Sequence, residues 1–224
     1  MRGVYEAAMA SNIVFLLDVD NTLLDNDRII SDLREHLVQE VGREHADSYW
    51  ACFEKIRTEL GYADYLGALQ RYRIEYPRDP HLLTVSRFLF DYAFADRLFP
   101  HALEVIHHLK QWGKVVIVSD GDVVFQPRKV ERSGLWAAVG GEVLIFIHKE
   151  QMLDEVERQY PARRYVMIDD KLRILTAIKD VWRDRVNTVF VRQGHYAHDP
   201  SQVQPYPPAD LTVEAIGDVL DLRI

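Results

Sequence analysis

The chain has a single cysteine, Cys52, in 224 residues, so no internal disulfide can form. This favours a reducing compartment, and Cys52 reads as a small buried apolar residue. No run approaches the roughly 18 apolar residues that a membrane-spanning helix requires. The opening MRGVYEAAMAS has one arginine and no apolar stretch of the signal-peptide kind, so it reads as a short flexible leader, and the protein is expected in the cytoplasm. Positive charge is also in short supply. With 27 Lys and Arg against 35 Asp and Glu, the net charge of -8 argues against a nucleic-acid partner and identifies no other. There is no internal repeat, and no low-complexity tract beyond one proline-containing loop late in the chain.

What is present is a composition of 48% hydrophobic and 28% charged residues, enough for one full core and a smaller second unit. The stretch NIVFLLDVDNTLLD stands out. Residues 13–17 form the wholly apolar run of a strand buried on both faces, and the run ends in two carboxylates. Asp18 and Asp20 are two apart, so on an extended segment both point the same way. A chain keeps like charges that close when a cation lies between them or one acid holds a proton.

Further apolar runs follow at 115–118, 143–147, 165–168 and 187–191, with a short sixth at 211–213, and helical patterns lie between them. Strands alternating with helices predict an α/β, Rossmann-like parallel sheet covered by helices on both faces. Residues 28–97 differ. Leu33, Leu37 and Val41 share one helical face, Tyr49, Phe53, Ile56 and Leu60 continue the period beyond Gly42, and nothing there reads as a strand. Ser31 is the expected N-cap of the first helix. The division predicted is a catalytic core of residues 1–27 plus 98–224, with an all-helical insert over 28–97.

Reactive groups in open parallel sheets gather at the carboxyl ends of the strands. Here those ends carry Asp18 and Asp20, then Ser119 and Asp120, then Lys149, then Asp169 and Asp170. Carboxylates from separate strands suit a hard divalent cation, while a hydroxyl and an ammonium suit a phosphate dianion. Backbone N–H groups near Asn21 and after Ser119 would complete a phosphate cradle. His195 and His198 lie in a polar loop with no thiolate or third histidine nearby and read as exposed. Asp122, Arg128 and Lys129 read as surface charge, and the aromatics of the insert as helix packing.

In this order, and with these flanking residues, the set resembles the haloacid dehalogenase-like superfamily. The first motif matches at Asp18, Asp20, Thr22 and Leu23, the second at Ser119, the third at Lys149 and the fourth at Asp169 and Asp170. The resemblance implies a helical cap between the first two motifs, where residues 28–97 lie. It implies Asp18 as the nucleophile that becomes an aspartyl phosphate, Asp20 as acid and then base, and Thr22 as a residue orienting Asp20 or the turn. Ser119 and Lys149 would hold phosphoryl oxygens. Mg2+ would be bound by Asp18, the Asp20 carbonyl and the fourth motif, where alignment puts Asp170 ahead of Asp169 in the usual position.

The activity implied is a Mg2+-dependent phosphatase acting on a small phosphorylated metabolite. A sugar phosphomutase is the nearest alternative, and a catalytically silent binding or regulatory protein is an alternative of another class. A dehalogenase fits less well, because the resemblance implies no acid at the position of Asp20 in such enzymes. A signalling receiver domain would carry its acidic pair on the first strand and its phosphorylated aspartate on a later one. No nucleic acid or membrane is expected as a partner, and the sequence leaves the oligomeric state open.

Overall fold

The computed structural model describes residues 11–222. The leader expected at residues 1–11 lies outside them except for Ser11, which already belongs to the first strand. In chain order the elements are β1 (Ser11–Leu17), α1 (Asn26–Val41), α2 (Arg43–Leu60), α3 (Tyr65–Glu75), α4 (Leu82–Asp91), α5 (Ala102–Leu109), β2 (Lys114–Asp120), α6 (Phe125–Arg132), α7 (Leu135–Val139) and β3 (Val143–Phe146). Then come α8 (Leu153–Gln159), β4 (Ala162–Asp169), α9 (Leu172–Trp182), β5 (Val186–Val191), α10 (Gly194–His198), α11 (Pro200–Val203) and β6 (Leu211–Val213).

Six parallel strands form one sheet in the order β3-β2-β1-β4-β5-β6. Strand order reverses at β1, which therefore lies between β2 and β4, and such a reversal opens a crevice at the carboxyl edge. Successive side chains of each central strand enter different cores. Phe15, Leu17, Ile117 and Ile168 pack on one side, where α5 contributes Val105 and Leu109. Leu16, Val116, Val118 and Met167 pack on the other, against Val156 of α8 and Ile178 of α9. Burial on both faces is why these strands read as continuous apolar runs.

The fourth strand begins three residues earlier than its apolar run, because Arg163 and Arg164 at its start are exposed. Between β1 and β2 the described residues hold helices and no strand of the sheet, as expected. The helix start differs. The Asp25 carboxylate accepts from the Arg28 N–H at 2.9 Å and caps α1, so Ser31 lies inside the helix. Gly42, at φ 79°, separates α1 from α2.

Helical periodicity then explains the packing. Ile29, Leu33 and Leu37 of α1 and Tyr49, Phe53 and Ile56 of α2 are buried. Ring contacts run from Trp50 to Phe53 at 5.2 Å, to Tyr65 at 4.8 Å and on to Phe125 of α6 at 5.1 Å, which ties the helical insert to the sheet domain. The late polar, proline-containing stretch around His195 and His198, expected as a loop, contains α10 and α11, of 5 and 4 residues, too short to show a helical period. No helix among the described residues is long and apolar enough to cross a membrane.

Phe94 marks the return from the insert to the sheet domain. Its ring is fully buried between Tyr92 at 5.2 Å and Phe125 at 5.7 Å. Phe94→Ala is expected to lower unfolding stability by about 3–5 kcal/mol in urea titrations. A loss under about 1 kcal/mol would mean that this junction is not a packed core.

Candidate active site

The strand register brings the acidic residues together. Leu17 pairs with both Ile117 and Ile168, and the Asp18 N–H donates to the Ile168 carbonyl at 3.0 Å, so Asp18 leaves the sheet beside Asp169. The chain then turns sharply. The N–H groups of Thr22, Leu23 and Leu24 all point at the Val19 carbonyl, at 3.2, 2.9 and 3.0 Å. Asn21 takes a left-handed conformation, φ 61°, and its side-chain oxygen accepts from the N–H groups of Asn26 and Asp27 at the start of α1. Asn21 thus builds the turn, and its own N–H is already given to the Leu24 carbonyl at 2.7 Å, which removes one donor of the expected phosphate cradle. Gly194 of α10 packs against this turn so closely that a Cβ there would lie 2.5 Å from that of Asn21.

Lys149 arrives from farther away, because β3 is two strands from β1. A 3-10 turn at Lys149–Gln151 folds over the end of β2, the Lys149 N–H donates to Asp120 Oδ1 at 2.7 Å, and the side chain reaches Asp18 Oδ1 at 2.5 Å. The same ammonium lies 2.7 Å from Asp169 Oδ2 and 3.3 Å from the Val118 carbonyl. Thr22 also serves Asp18: its hydroxyl donates to Asp18 Oδ2 at 3.2 Å, where the resemblance implied a role toward Asp20 or the turn. Ser119 is buried, and its hydroxyl oxygen accepts from Gln126 Nε2 at 2.9 Å.

Three carboxylates share this space. Asp18, Asp169 and Asp170 are 3%, 0% and 1% exposed, and each offers an oxygen within 4.8 Å of the others. Burial pushes the Asp170 carboxyl far up; Lys171 opposes this, and Asp169 and Asp18 add to it. Burial also raises Asp169, against the pull of Lys149. Burial alone would lower the Lys149 ammonium, but Asp169, Asp18 and Asp120 hold it well above its ordinary value. The two acids of the fourth motif divide their tasks: Asp169 takes the Lys149 ammonium and the Lys171 N–H, while both oxygens of Asp170 are buried with no hydrogen-bond partner. A buried, unpartnered carboxylate next to two others is a donor set suited to a hard divalent cation.

Asp20 turns elsewhere. Its side chain is 25% exposed and meets Lys129 Nζ at 2.7 and 2.9 Å, and it is not among the three clustered carboxylates. Lys129 was expected on the surface and is instead fully buried. The helical period held a signal, since Lys129 stands four residues after Phe125 and next to Val130, both on the buried face of α6. His195 is exposed, as expected, and is also engaged: its Nδ1 contacts Asp27 Oδ1 at 2.6 Å.

Above the carboxyl edge is a cavity of 630 Å3, of a size for a small metabolite. Asp20, Asp120 and Lys171 contribute from the sheet side, and Trp50, Tyr62 and Tyr65 from the helical insert. The insert's aromatics therefore pack, as expected, and also form one wall.

Burial pushes the Asp120 carboxyl up to about 6, against the opposing pull of Lys149. Native Asp120 then binds its proton more tightly than the unfolded chain, whose ordinary value is 3.8, so its destabilising effect grows as pH rises from about 4 to 6 and is complete above that. In chelator, Asp120→Asn is expected to be more stable than wild type at pH 7.5 by on the order of 2–3 kcal/mol, with the difference closing by about pH 4. Denaturant titrations across that range check this, and a pH-independent difference would contradict it.

Comparison with known proteins adds kinship to this geometry. The profile of the haloacid dehalogenase-like hydrolases matches residues 14–181. A crystal structure from Burkholderia xenovorans LB400, described as a haloacid dehalogenase-like hydrolase, shares 61% identity at a TM-score of 0.91, covering 95% of this chain and 99% of that one. YfnB from Bacillus subtilis, a HAD-hydrolase solved bound to magnesium, shares 16% identity at a TM-score of 0.63 over 94% of this chain and 98% of its own. The L-2-haloacid dehalogenase PA0810 shares 18% identity at 0.63 over 93% and 97%. These last two likenesses concern the fold alone. No curated protein sequence matches this one.

Proposed function

Because this chain belongs to the haloacid dehalogenase-like hydrolases, we propose that it is a Mg2+-dependent phosphatase acting on a small phosphorylated metabolite through an aspartyl-phosphate intermediate. The observation that carries this reading is the second acid. Asp20 stands at the cavity wall two residues after Asp18, gripped by a buried lysine. Release of an alkoxide from phosphorus needs a proton, whereas release of a halide does not. A carbon–halogen displacement by Asp18 would leave Asp20 without a task.

Asp18 is the proposed nucleophile, oriented by the Thr22 hydroxyl on one oxygen and the Lys149 ammonium on the other. Its attack on phosphorus forms the Asp18–phosphorus bond while the bond to the leaving oxygen breaks, and Asp20 gives that oxygen its proton. A water then attacks the phosphorus of the intermediate and passes its proton to Asp20. Inorganic phosphate leaves, and the Asp18 carboxylate is restored. Ser119 and Lys149 hold phosphoryl oxygens, and Lys149 lowers the repulsion between an anionic substrate and Asp18. Asp18 and Asp170 are the proposed side-chain holders of Mg2+, with Asp169 orienting Lys149 and the Asp20 carbonyl as a further ligand. Bound there, the ion neutralises charge on the phosphoryl group.

Residues 28–97 are the proposed cap over a core of 1–27 plus 98–224, and cap closure over the cavity would keep bulk water out until the intermediate forms. A sugar phosphomutase would share the first half of this chemistry and return the phosphoryl group to substrate.

The purified protein is expected to hydrolyse p-nitrophenyl phosphate with Mg2+, to stop in chelator, and to lose about a thousandfold or more in kcat in Asp18→Asn. Undiminished turnover in that variant would overturn the nucleophile assignment. Halide release from a 2-haloacid, with no phosphate ester hydrolysed, would establish a dehalogenase instead. Separately, Mg2+ at about one hundred times its Kd should stabilise the fold by about 2.7 kcal/mol. Asp170→Asn should abolish that gain, and a gain that survives would remove Asp170 from the metal site.

A further inference from the structure

We infer that Lys129 is a positioning residue that holds the Asp20 carboxylate in its working orientation without touching substrate; this rests on the acid–base role proposed for Asp20. Lys129 lies on α6, outside the four motifs, with its side chain fully buried. Its ammonium has three N–H bonds to give and three oxygens to give them to: Asp20 Oδ1 at 2.7 Å, Asp20 Oδ2 at 2.9 Å and Asn26 Oδ1 at 3.0 Å. Every donor is used, so the ammonium does not swing. Contact with both oxygens fixes the plane of the carboxylate as well as its direction. Asn26 anchors the lysine from the first turn of α1, and the Phe125 ring, 5.3 Å from the ammonium, forms an apolar side of the niche.

Energetics point the same way. Burying a lysine carries a desolvation cost that its ion pair offsets only in part, and an apolar side chain of similar volume often serves stability as well. What the lysine adds is geometry. Asp20 faces the cavity with its side chain 25% exposed, and without the clamp its carboxylate would be free to sample other rotamers. Lys129 is covered by Asp20 and Asn26, does not line the cavity, and acts on chemistry only through Asp20.

The test separates acid-dependent from acid-independent bond breaking. A p-nitrophenolate leaves without a proton, whereas the alkoxide of glycerol 2-phosphate needs one, and kcat/KM reports the steps up to leaving-group loss. Lys129→Met is expected to lower kcat/KM for glycerol 2-phosphate at least about tenfold more than for p-nitrophenyl phosphate. In an Asp20→Asn background the same substitution should add no further difference between the two esters. Equal losses on both esters, or an undiminished further effect in that background, would overturn the assignment.

A readout free of turnover accompanies it. In a crystal structure of Lys129→Met the Asp20 carboxylate is expected to leave its wild-type orientation with the backbone of the turn in place, and an unmoved carboxylate would overturn the proposal. If wild type hydrolyses neither ester, the phosphatase reading fails, and the crystal structure still decides what Lys129 does. If Lys129→Met does not fold, Lys129→Gln keeps a donor for Asn26 and takes its place in both measurements.

Discussion

Three buried carboxylates facing the buried Lys149 ammonium, with Lys171 opposing the charge of Asp170 from the cavity wall, set the terms for the rest of the site. Asp18, Asp169 and Asp170 crowd the carboxyl edge of the sheet, and Lys149 compensates two of them, leaving Asp170 with no hydrogen-bond partner. Such a cluster is costly to bury and gains from any species that brings positive charge to it. The same shortage of positive charge suits the divalent cation proposed here, and the Lys149 ammonium both contacts Asp18 and offsets its charge. The strand order makes the cluster possible, because the reversal at β1 puts the first and fourth motifs side by side and lets Lys149 reach across β2.

A second pairing operates at the rim. Asp20 and Lys129 stand apart from the metal-type cluster, and Asn21 accepts from the first N–H groups of the helix that carries Asn26. The short turn between β1 and α1 therefore separates two carboxylates only two residues apart. Asp18 goes inward to Lys149, and Asp20 goes to Lys129 at the cavity wall. That separation is what a mechanism with a nucleophile and a distinct acid requires. The aromatic wall from α2 and α3 covers the opposite side, where it both supports the insert and bounds the space left for substrate.

Much of this was legible in the sequence because it is periodic or local. Apolar runs marked the strands, four-residue spacing marked α1 and α2, and polar residues just after the runs marked the carboxyl edge. The parts that were not legible depend on contacts between distant segments. The Ser31 cap gave way to Asp25 because α1 starts at Asn26, ahead of the apolar period read from Leu33 onward, so Asp25 is the acceptor that its first turn meets. Thr22 went to Asp18 because the turn at Asn21, with its left-handed backbone, rotates the hydroxyl toward the strand end. Lys129 escaped a reading based on charge, since a lysine looks solvated until its oxygen partners, from residues more than a hundred positions away, are in view. Asp169 and Asp170, equivalent by composition, differ only in what reaches them.

The chemistry proposed for this site turns on attack of the Asp18 carboxylate on phosphorus. The most direct measurement is acid quenching of the Mg2+-loaded protein during turnover of p-nitrophenyl phosphate, followed by peptide mass spectrometry after reduction of any acyl phosphate with borohydride. Conversion of Asp18 to homoserine is the expected result. An unmodified Asp18 in protein quenched during sustained turnover, or modification at another residue, would rule out Asp18 as the nucleophile.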